Sequence, residues 1–259
     1  MKVQLFQFKI EAAQFELNKE KIKDLFESKL DAQTEVVVLP EMWNNGYALE
    51  ALDELADENL QESKAFIAQL AQMHNVTIVA GSVANKVDGH IYNTSFTVNS
   101  DGEILNQYDK IHLVPMLDEP KFLTGGTKMP QTFQLKEDVH ASQIVCYDLR
   151  FPELNRSVAQ HAAITFYVAQ WPLARIDHWI KLLQARAIEN NMYVVGCNAC
   201  GEALGTTYGG NSCIINPNGD IVKSLDTNEG HIVETLNLSE VERQRQQIPV
   251  LDNLRNDLY

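Results

Sequence analysis

The chain has 259 residues, of which 45% are hydrophobic and 22% are charged. This length suits one large α/β domain or two small ones, and the composition is that of an ordinary globular protein. The 21 basic and 35 acidic residues give a net charge of −14. Such a charge argues against partners that present phosphates, so we expect no nucleic-acid binding and no binding to an anionic membrane surface.

The sequence also indicates where the protein works. No run of 18 or more apolar residues occurs, which excludes a transmembrane helix. Residues 1–20 lack the apolar stretch and the small-residue cleavage site of a secretory signal. We therefore expect a cytoplasmic protein, and its four cysteines are then expected to be thiols rather than disulfides.

The first half of the chain predicts alternating buried strands and helices from the spacing of its apolar residues. The predicted elements are a strand over 2–8, a helix through 22–30 with Asn18 as a candidate cap, a strand over 35–39, a helix over 66–74, a strand over 77–81, and a hairpin of strands 91–98 and 103–108. A long loop is predicted from Lys110 to Gly126.

The second half of the chain predicts the same alternation of strands and helices. Its elements are a strand ending at Cys146, a helix over 152–161, a strand over 163–168, a helix over 176–187, a strand over 192–196, a loop over 197–210, strands over 210–215 and 220–225, and a last strand over 232–236. Two similar α/β layers of this kind predict a helix–sheet–sheet–helix sandwich. Because no linker divides the halves, we predict one domain over residues 1–238. The polar tail, 239–259, has little core of its own, and we expect it to pack on a partner subunit.

Cys146 lies at a predicted junction between a strand and a helix. An apolar run ends at Val145, and Pro152 with Glu153 opens a helix, since proline suits the first turn and an acid its positive end. Backbone N–H groups and the helix dipole at such a junction would favour a thiolate. A buried structural cysteine explains the same pattern equally well at this point.

Two charged residues also follow predicted strands, which is where ligand sites of α/β sheets lie. Lys110 comes after the hairpin, and as a cation it would lower the pKa of a neighbouring thiol and stabilise an oxyanion. Glu41 follows the apolar run 35–39 and could act as a general base. Taken singly, a solvated lysine and a loop-capping glutamate are the simpler interpretations.

Three segments decide between these interpretations. LPEMWNNGY (39–47), YDKIHL (108–113) and CYDLRFPEL (146–154) resemble the signature segments of the nitrilase superfamily of carbon–nitrogen hydrolases. The order and spacing of Glu41, Lys110 and Cys146 match as well, and the resemblance covers nearly the whole chain. It implies a four-layer αββα sandwich and hydrolysis of a nonpeptide amide through a cysteine thioester, with no cofactor and no metal.

The resemblance also implies roles for further residues. Glu119 fills the place of a second family glutamate that positions the substrate and the lysine, although a surface acid beside Asp118 is an alternative. The backbone N–H of Tyr147 is expected to help Lys110 hold the oxyanion. Tyr47 and Trp171 are expected to form walls of the substrate pocket, with a simple core role as the alternative.

Two more segments resemble those of a narrower group. VAQWPLARIDHW (168–179) and LLQARAIENNMYVVGCN (182–198) look like bacterial omega-amidases, whose substrates are 2-oxo-acid monoamides such as 2-oxoglutaramate. Such a substrate carries a carboxylate, which arginine binds in a planar, bidentate manner. Arg175 is the candidate for this contact, with a structural arginine as its alternative, and Arg150 is expected to form structural ion pairs.

Other functions stay open from the sequence. An aliphatic amidase, an N-carbamoyl hydrolase, a deaminated-glutathione amidase and a non-catalytic binding protein on the same fold are the alternatives. Cys197 and Cys200 form a CxxC pair, but the glycine-rich sequence after it predicts a loop rather than the helix of a redox motif. The expected partners are a small amide substrate, water and a second subunit of a homodimer.

Overall fold

The computed structural model describes residues 1–258 of the chain. Its strands, in chain order, are β1 (Lys2–Gln7), β2 (Val36–Val38), β3 (Asp57–Glu58), β4 (Thr77–Val87), β5 (His90–Val98), β6 (Ile104–Asp109), β7 (Phe133–Lys136), β8 (Val139–Val145), β9 (Ile164–Ala169), β10 (Tyr193–Asn198), β11 (Cys200–Ala203), β12 (Thr206–Gly209), β13 (Cys213–Ile215), β14 (Ile221–Ser224) and β15 (Gly230–Thr235).

The helices lie between these strands. They are α1 (Phe15–Lys29), α2 (Leu52–Leu55), α3 (Gln61–His74), α4 (Glu119–Phe122), α5 (Pro152–Ala159), α6 (Ile176–Asn190) and α7 (Ser239–Gln247). Among residues 1–258, no helix is long and apolar enough to cross a membrane.

The strands form two large sheets and one small hairpin. The first sheet has the order β15-β1-β2-β4-β5-β6, with β3 paired to β4, and the second has the order β14-β13-β10-β9-β8-β7. In each sheet three strands run parallel, β1-β2-β4 and β8-β9-β10, and an antiparallel pair follows. The repeated order of strands and helices in the two halves is therefore confirmed. β11 and β12 form a separate hairpin.

Alternating side chains of the first sheet face two different cores. Val36 and Val38 belong to the core that the first sheet shares with the second, together with Ile144 and Phe166. Val37, between them, belongs to the core under α1 and α3. On the other side of the molecule, α5 and α6 cover the second sheet. The predicted four-layer αββα sandwich is confirmed.

Two local predictions are wrong. Asn18 does not cap α1, because the helix begins at Phe15 and Asn18 lies one turn inside it, where its buried amide bonds the backbone of Glu11 and Asn44. The region predicted as a loop over 197–210 contains the end of β10 and the hairpin β11–β12. Gly205, in the turn of this hairpin, has φ +74°, a conformation that glycine adopts readily.

The beginning of the predicted tail packs on its own chain. Val241 of α7 is buried, and Arg245 donates hydrogen bonds to the backbone oxygens of Ala159 and Ala162 at the end of α5. The carboxylate of Glu240 accepts a hydrogen bond from the hydroxyl of Tyr193. Contact of the tail with a partner subunit stays a prediction.

The turn that follows β2 is held against a bulge in β4. The register of β4 shifts between Val79 and Ser82, and the hydroxyl of Ser82 accepts a hydrogen bond from the backbone N–H of Met42. Gly81 lies inside the bulge with φ +61°, and a Cβ there would lie 1.9 Å from the carbonyl oxygen of Pro40. Only glycine combines this conformation with so close an approach.

We predict that Gly81→Ala lowers the free energy of unfolding by about 4 kcal/mol or more, because a backbone clash adds to the cost of a positive φ. Urea denaturation measures the change. Gly89→Ala is the matched control, since Gly89 has φ +78° and open space around its Cβ position. Its cost is expected to be roughly 1–2 kcal/mol, the conformational part alone. Equal losses in the two variants would contradict the role given to the bulge.

Candidate active site

Cys146 lies at the turn between β8 and α5. It is the first residue of a short 3-10 turn, Cys146–Arg150, and its backbone has φ +44°. A left-handed conformation is uncommon for a residue other than glycine and recurs at functional sites. The side chain is 4% exposed, at the bottom of a cavity. The predicted strand-to-helix junction is confirmed, with the 3-10 turn inserted between strand and helix.

Glu41 follows β2 and is fully buried. Its carboxylate accepts hydrogen bonds from four donors on separate elements. The donors are Tyr47 Oη (3.1 Å), Asn93 Nδ2 (2.8 Å) and Lys110 Nζ (3.1 Å) to Oε1, and the backbone N–H of Gln170 (2.7 Å) to Oε2. Because Gln170 belongs to the second half of the chain, this carboxylate joins the two sheets.

Lys110 lies between two buried carboxylates. Its Nζ is 3.1 Å from Glu41 Oε1 and 2.8 Å from Glu119 Oε1, and all three side chains are inaccessible to solvent. Glu119, at the start of α4, also accepts the backbone N–H of Val114 and the hydroxyl of Tyr47. Burial opposes the charged form of Lys110, but the two carboxylates outweigh it and the pKa of the ammonium is raised. The structure thus brings the four predicted catalytic residues together.

The thiol of Cys146 is held in its neutral form. Burial and the negative charge of Glu41 raise its pKa well above the ordinary value, and the cation of Lys110 offsets this only in part. Lys110 lowers the pKa of the thiol as predicted, but burial and Glu41 outweigh it, so the thiolate expected at this junction is not favoured. The cluster holds two carboxylates for one ammonium, so a third negative charge is disfavoured unless one of the carboxylates takes the thiol proton and becomes neutral.

Asp148, two residues after the nucleophile position, ties the turn of Cys146 to the segment that follows Lys110. Its buried carboxylate accepts hydrogen bonds from the hydroxyl of Tyr108 (2.6 Å) and the backbone N–H groups of Ile111 (3.0 Å) and His112 (2.9 Å). The Nδ1 atom of His112 is 2.7 Å from the same carboxylate. His112 thus holds the segment after Lys110 against the turn of Cys146.

A cavity of about 90 Å³ opens above Cys146. The predicted substrate-binding residues Tyr47, Tyr147, Trp171 and Arg175 all line it. The indole of Trp171 is buried and donates to the backbone oxygen of Arg175 (2.8 Å), which fixes the segment at the rim. The walls are mainly apolar, with few polar groups, as is usual for small-molecule sites.

Arg150 was expected to form structural ion pairs, but the structure places it at the cavity. It lines the cavity, with its guanidinium 4.7 Å from the centre of the Trp171 ring and 5.9 Å from that of Tyr147. Neither Arg150 nor Arg175 pairs with a carboxylate within residues 1–258, so the structural ion pairs expected for Arg150 are not found. Two arginines at one rim make a positive entrance in a chain whose net charge is −14.

Three buried residues of the site were not predicted. Asn93 and Gln170 bond the carboxylate of Glu41, and Tyr208 of β12 lies beside the ring of Tyr47, with ring centres 6.3 Å apart. Burial, together with the charges of the site, raises the pKa of Tyr208. Asn93 and Gln170 are polar residues inside or just after an apolar strand, a signal that does not by itself say which site the residue serves. Tyr208 lies in the segment predicted as a loop and had no such signal.

The comparisons with known proteins agree with this geometry. The family model described as carbon-nitrogen hydrolase matches residues 2–246. A CN-hydrolase superfamily protein of Xanthomonas campestris, solved with an arsenic adduct in its active site, superposes with a TM-score of 0.92 at 27% identity, covering 99% of this chain and 97% of that one. The chain belongs to the carbon–nitrogen hydrolase family, within the nitrilase superfamily, and is a hydrolase.

Two bacterial relatives narrow the comparison. The chain is 57% identical to the "Hydrolase in agr operon" of Staphylococcus lugdunensis over 227 residues, covering 87% of this chain and 97% of that protein. It is 39% identical to the 2-oxoglutaramate amidase of Bacillus subtilis over 237 residues, covering 91% of each. The protein is therefore similar to amidases of small substrates.

We predict that Lys110→Met lowers the free energy of unfolding by roughly 3–5 kcal/mol at pH 8, because it leaves two buried carboxylates without a cation. Carboxylates so placed bind protons more readily in the folded variant, so the loss is expected to shrink as the pH falls to 5. Denaturant titrations at the two pH values measure it. Lys181→Met is the control, because Lys181 forms an exposed ion pair with Asp177. Such surface pairs contribute about 0–1 kcal/mol to stability, so this variant is expected to lose little. A pH-independent loss in Lys110→Met would contradict the charge balance described for the site.

Proposed function

We propose that the protein hydrolyses a small carboxamide through a thioester on Cys146. Glu41 takes the thiol proton while Sγ attacks the amide carbon and the carbonyl π electrons move to oxygen. Lys110 Nζ and the backbone N–H of Tyr147 stabilise the oxyanion. Glu41 then gives the proton to the amide nitrogen, the C–N bond breaks, and ammonia leaves. The observation that carries the proposal is the geometry of the site, in which the buried carboxylate of Glu41 accepts hydrogen bonds from Lys110 Nζ (3.1 Å) and Asn93 Nδ2 (2.8 Å) in the same buried cluster as the Cys146 thiol.

The second half of the cycle uses the same groups. Glu41 takes a proton from water as the water oxygen attacks the thioester carbon, and the oxyanion forms again at Lys110. The C–S bond then breaks, the acid is released, and the proton held by Glu41 returns to Sγ. Glu119 acts in this scheme as a positioning residue, because it holds Lys110 and Tyr47 without a described contact to Cys146. The scheme uses no cofactor and no metal.

We propose a 2-oxo-acid monoamide, such as 2-oxoglutaramate, as the substrate. Similarity to proteins named 2-oxoglutaramate amidase supports this, and so does the positive rim of the cavity. Arg175 is the proposed partner of the substrate carboxylate, and Arg150, on the same rim, is a second candidate. The relatives with higher identity are named only as hydrolases, so their names point to no substrate.

The positive charge of the rim also supports the proposal that the enzyme discriminates against amides of amino acids. Among the residues that line the cavity none is acidic, whereas two are arginines. The ammonium group of glutamine would lie near these cations without a carboxylate to bind it, and an unpaired charge in such a place is costly. The oxo group of 2-oxoglutaramate carries no such charge. We propose that this difference separates the two substrates.

The homodimer remains part of the proposal. The expected contact surfaces are α5 and α6, which pack against each other on one face of the molecule, together with the C-terminal tail. Sedimentation of the purified protein tests it.

We predict that ammonia release is faster, by about 10- to 100-fold in kcat/KM, from 2-oxoglutaramate than from glutamine, since one uncompensated charge contact costs about 1.5–3 kcal/mol and the oxo group avoids it. The panel also includes asparagine, propionamide and an N-carbamoyl amino acid. Cys146→Ala is expected to abolish release while keeping the unfolding transition. Substantial turnover by Cys146→Ala would refute the thioester route, and preference for propionamide or a carbamoyl compound would favour another amidase class.

We predict that Arg175→Gln raises KM for 2-oxoglutaramate about 10- to 100-fold through loss of a charge-assisted hydrogen bond. KM for propionamide, which has no carboxylate, is expected to change little. Arg150→Gln, measured in parallel, shows whether the second arginine shares the carboxylate. An equal effect of Arg175→Gln on both amides would mean that this residue shapes the rim and does not bind the carboxylate.

A further inference from the structure

The carboxylate of Glu41 is bound unevenly. Oε1 accepts hydrogen bonds from Asn93 and Lys110, and Oε2 accepts the backbone N–H of Gln170. The hydroxyl of Tyr47 is 3.1 Å from Oε1, but its single proton is shared with Glu119, which lies closer at 2.8 Å. A carboxylate oxygen offers about two lone-pair sites, so Asn93 and Lys110 fill those of Oε1. Oε2 keeps room for a proton. The groups on Oε1 therefore control the orientation of the carboxylate.

Asn93 is the neutral donor among these groups that holds two parts of the site at once. It lies in β5, is 1% exposed, and donates from Nδ2 to Glu41 Oε1 at 2.8 Å. Its backbone oxygen accepts the N–H of Lys110 at 2.9 Å. One residue thus sets the distance between the strand end that carries the base and the strand end that carries the cation.

The burial of Asn93 lowers the stability of the fold, which an apolar residue at this position would not do. Its Oδ1 is buried and has no hydrogen-bond partner in the described part of the chain. A buried acceptor without a partner destabilises the fold, and an apolar side chain of similar size would not carry that penalty. An asparagine at this position is therefore explained by what Nδ2 does for Glu41.

We propose that Asn93 is a positioning residue of the hydrolase, which holds the carboxylate of Glu41 ionised and oriented toward the nucleophile. The inference rests on the proposed function, in which Glu41 exchanges protons with Cys146 and water. An amide donates a hydrogen bond without adding charge, so it stabilises the carboxylate without competing with Lys110 for the oxyanion. It also has no proton to lose in the working range of pH.

Other titratable groups face the same carboxylate and must be counted in any pH profile. They come from the strand ends, from the loop segments and from the hairpin, and are Tyr47, Lys110, Glu119, Cys146 and Tyr208. Substitution of Asn93 leaves all of them in place. A displaced acid limb in such a variant therefore reports the change at Glu41.

The test compares two variants of Asn93 with a matched control by their pH–rate profiles on 2-oxoglutaramate. Asn93→Leu removes the donor at similar volume. It is expected to lower kcat about 10- to 100-fold with KM nearly unchanged, and to move the acid limb to higher pH, because the ionised carboxylate loses a donor. Asn93→Asp puts a second carboxyl beside Glu41 and is expected to move the limb further, by more than one pH unit.

Asn85→Leu is the control, since Asn85 is a buried asparagine of the neighbouring strand β4 that bonds Leu60 N and Thr94 Oγ1. It is expected to lose stability and to keep the wild-type limb. If Asn93→Leu does not fold, the smaller Asn93→Ala carries the test, because it also removes the donor without adding a titratable group. A limb that stays at the wild-type pH in the folded Asn93 variants overturns the proposal.

Failure of the proposed function is distinguishable from failure of this inference. In the first case the wild-type protein releases no ammonia from any amide, or Cys146→Ala keeps turnover. The pH dependence of Cys146 alkylation by iodoacetamide then replaces the rate profile, because it needs no substrate. Its curve is expected to be displaced in Asn93→Asp and unchanged in Asn85→Leu. Coincident curves for wild type and Asn93→Asp overturn the inference by that route too.

Discussion

A single buried ammonium, that of Lys110, holds the centre of this molecule together. Three charged side chains without solvent contact would cost several kcal/mol each if they were poorly paired. The ammonium offsets that cost only when Glu41 and Glu119 lie within hydrogen-bond distance, so the strands and loops that carry them must be held in register. The bulge at Gly81 and the contacts of Asp148 with the segment after Lys110 meet this requirement. The geometry of the site thus explains the unusual backbone around it.

The charge balance around that ammonium also decides the form of the nucleophile. Two carboxylates against one cation leave the thiol of Cys146 neutral, so reactivity depends on a base and not on a standing thiolate. A buried neutral thiol reacts more slowly with oxidants and alkylating agents than a thiolate does, because the thiolate is the reactive form. The reacting state then forms mainly when a substrate is present to accept the electrons. Such an arrangement favours selectivity over indiscriminate reactivity.

Periodicity and motifs predicted the layers, most strand positions and the meeting of Glu41, Lys110, Cys146 and Glu119. The hairpin β11–β12 escaped prediction because its glycines are equally typical of a loop. Contacts such as that of Asn93 with Glu41 were not predicted because they join residues far apart in the chain. The sequence around a polar residue in an apolar strand does not indicate which residue it contacts. The thiol state could not be predicted from neighbours along the chain, since it depends on the summed charge and burial of four elements.

The site is divided between the two sheets. The proposed base, Glu41, follows a strand of the first sheet, and the proposed nucleophile, Cys146, follows a strand of the second. A few hydrogen bonds join the two sides, among them those from the backbone N–H and the side-chain amide of Gln170 to Glu41. Sheets keep their secondary structure when the layers loosen, but hydrogen bonds of this length are lost when one layer slides on the other. Enzymatic activity is therefore expected to depend on close packing of the two sheets. It should appear late in folding, when long-range contacts close, and vanish early under heat or pressure, ahead of any change in circular dichroism.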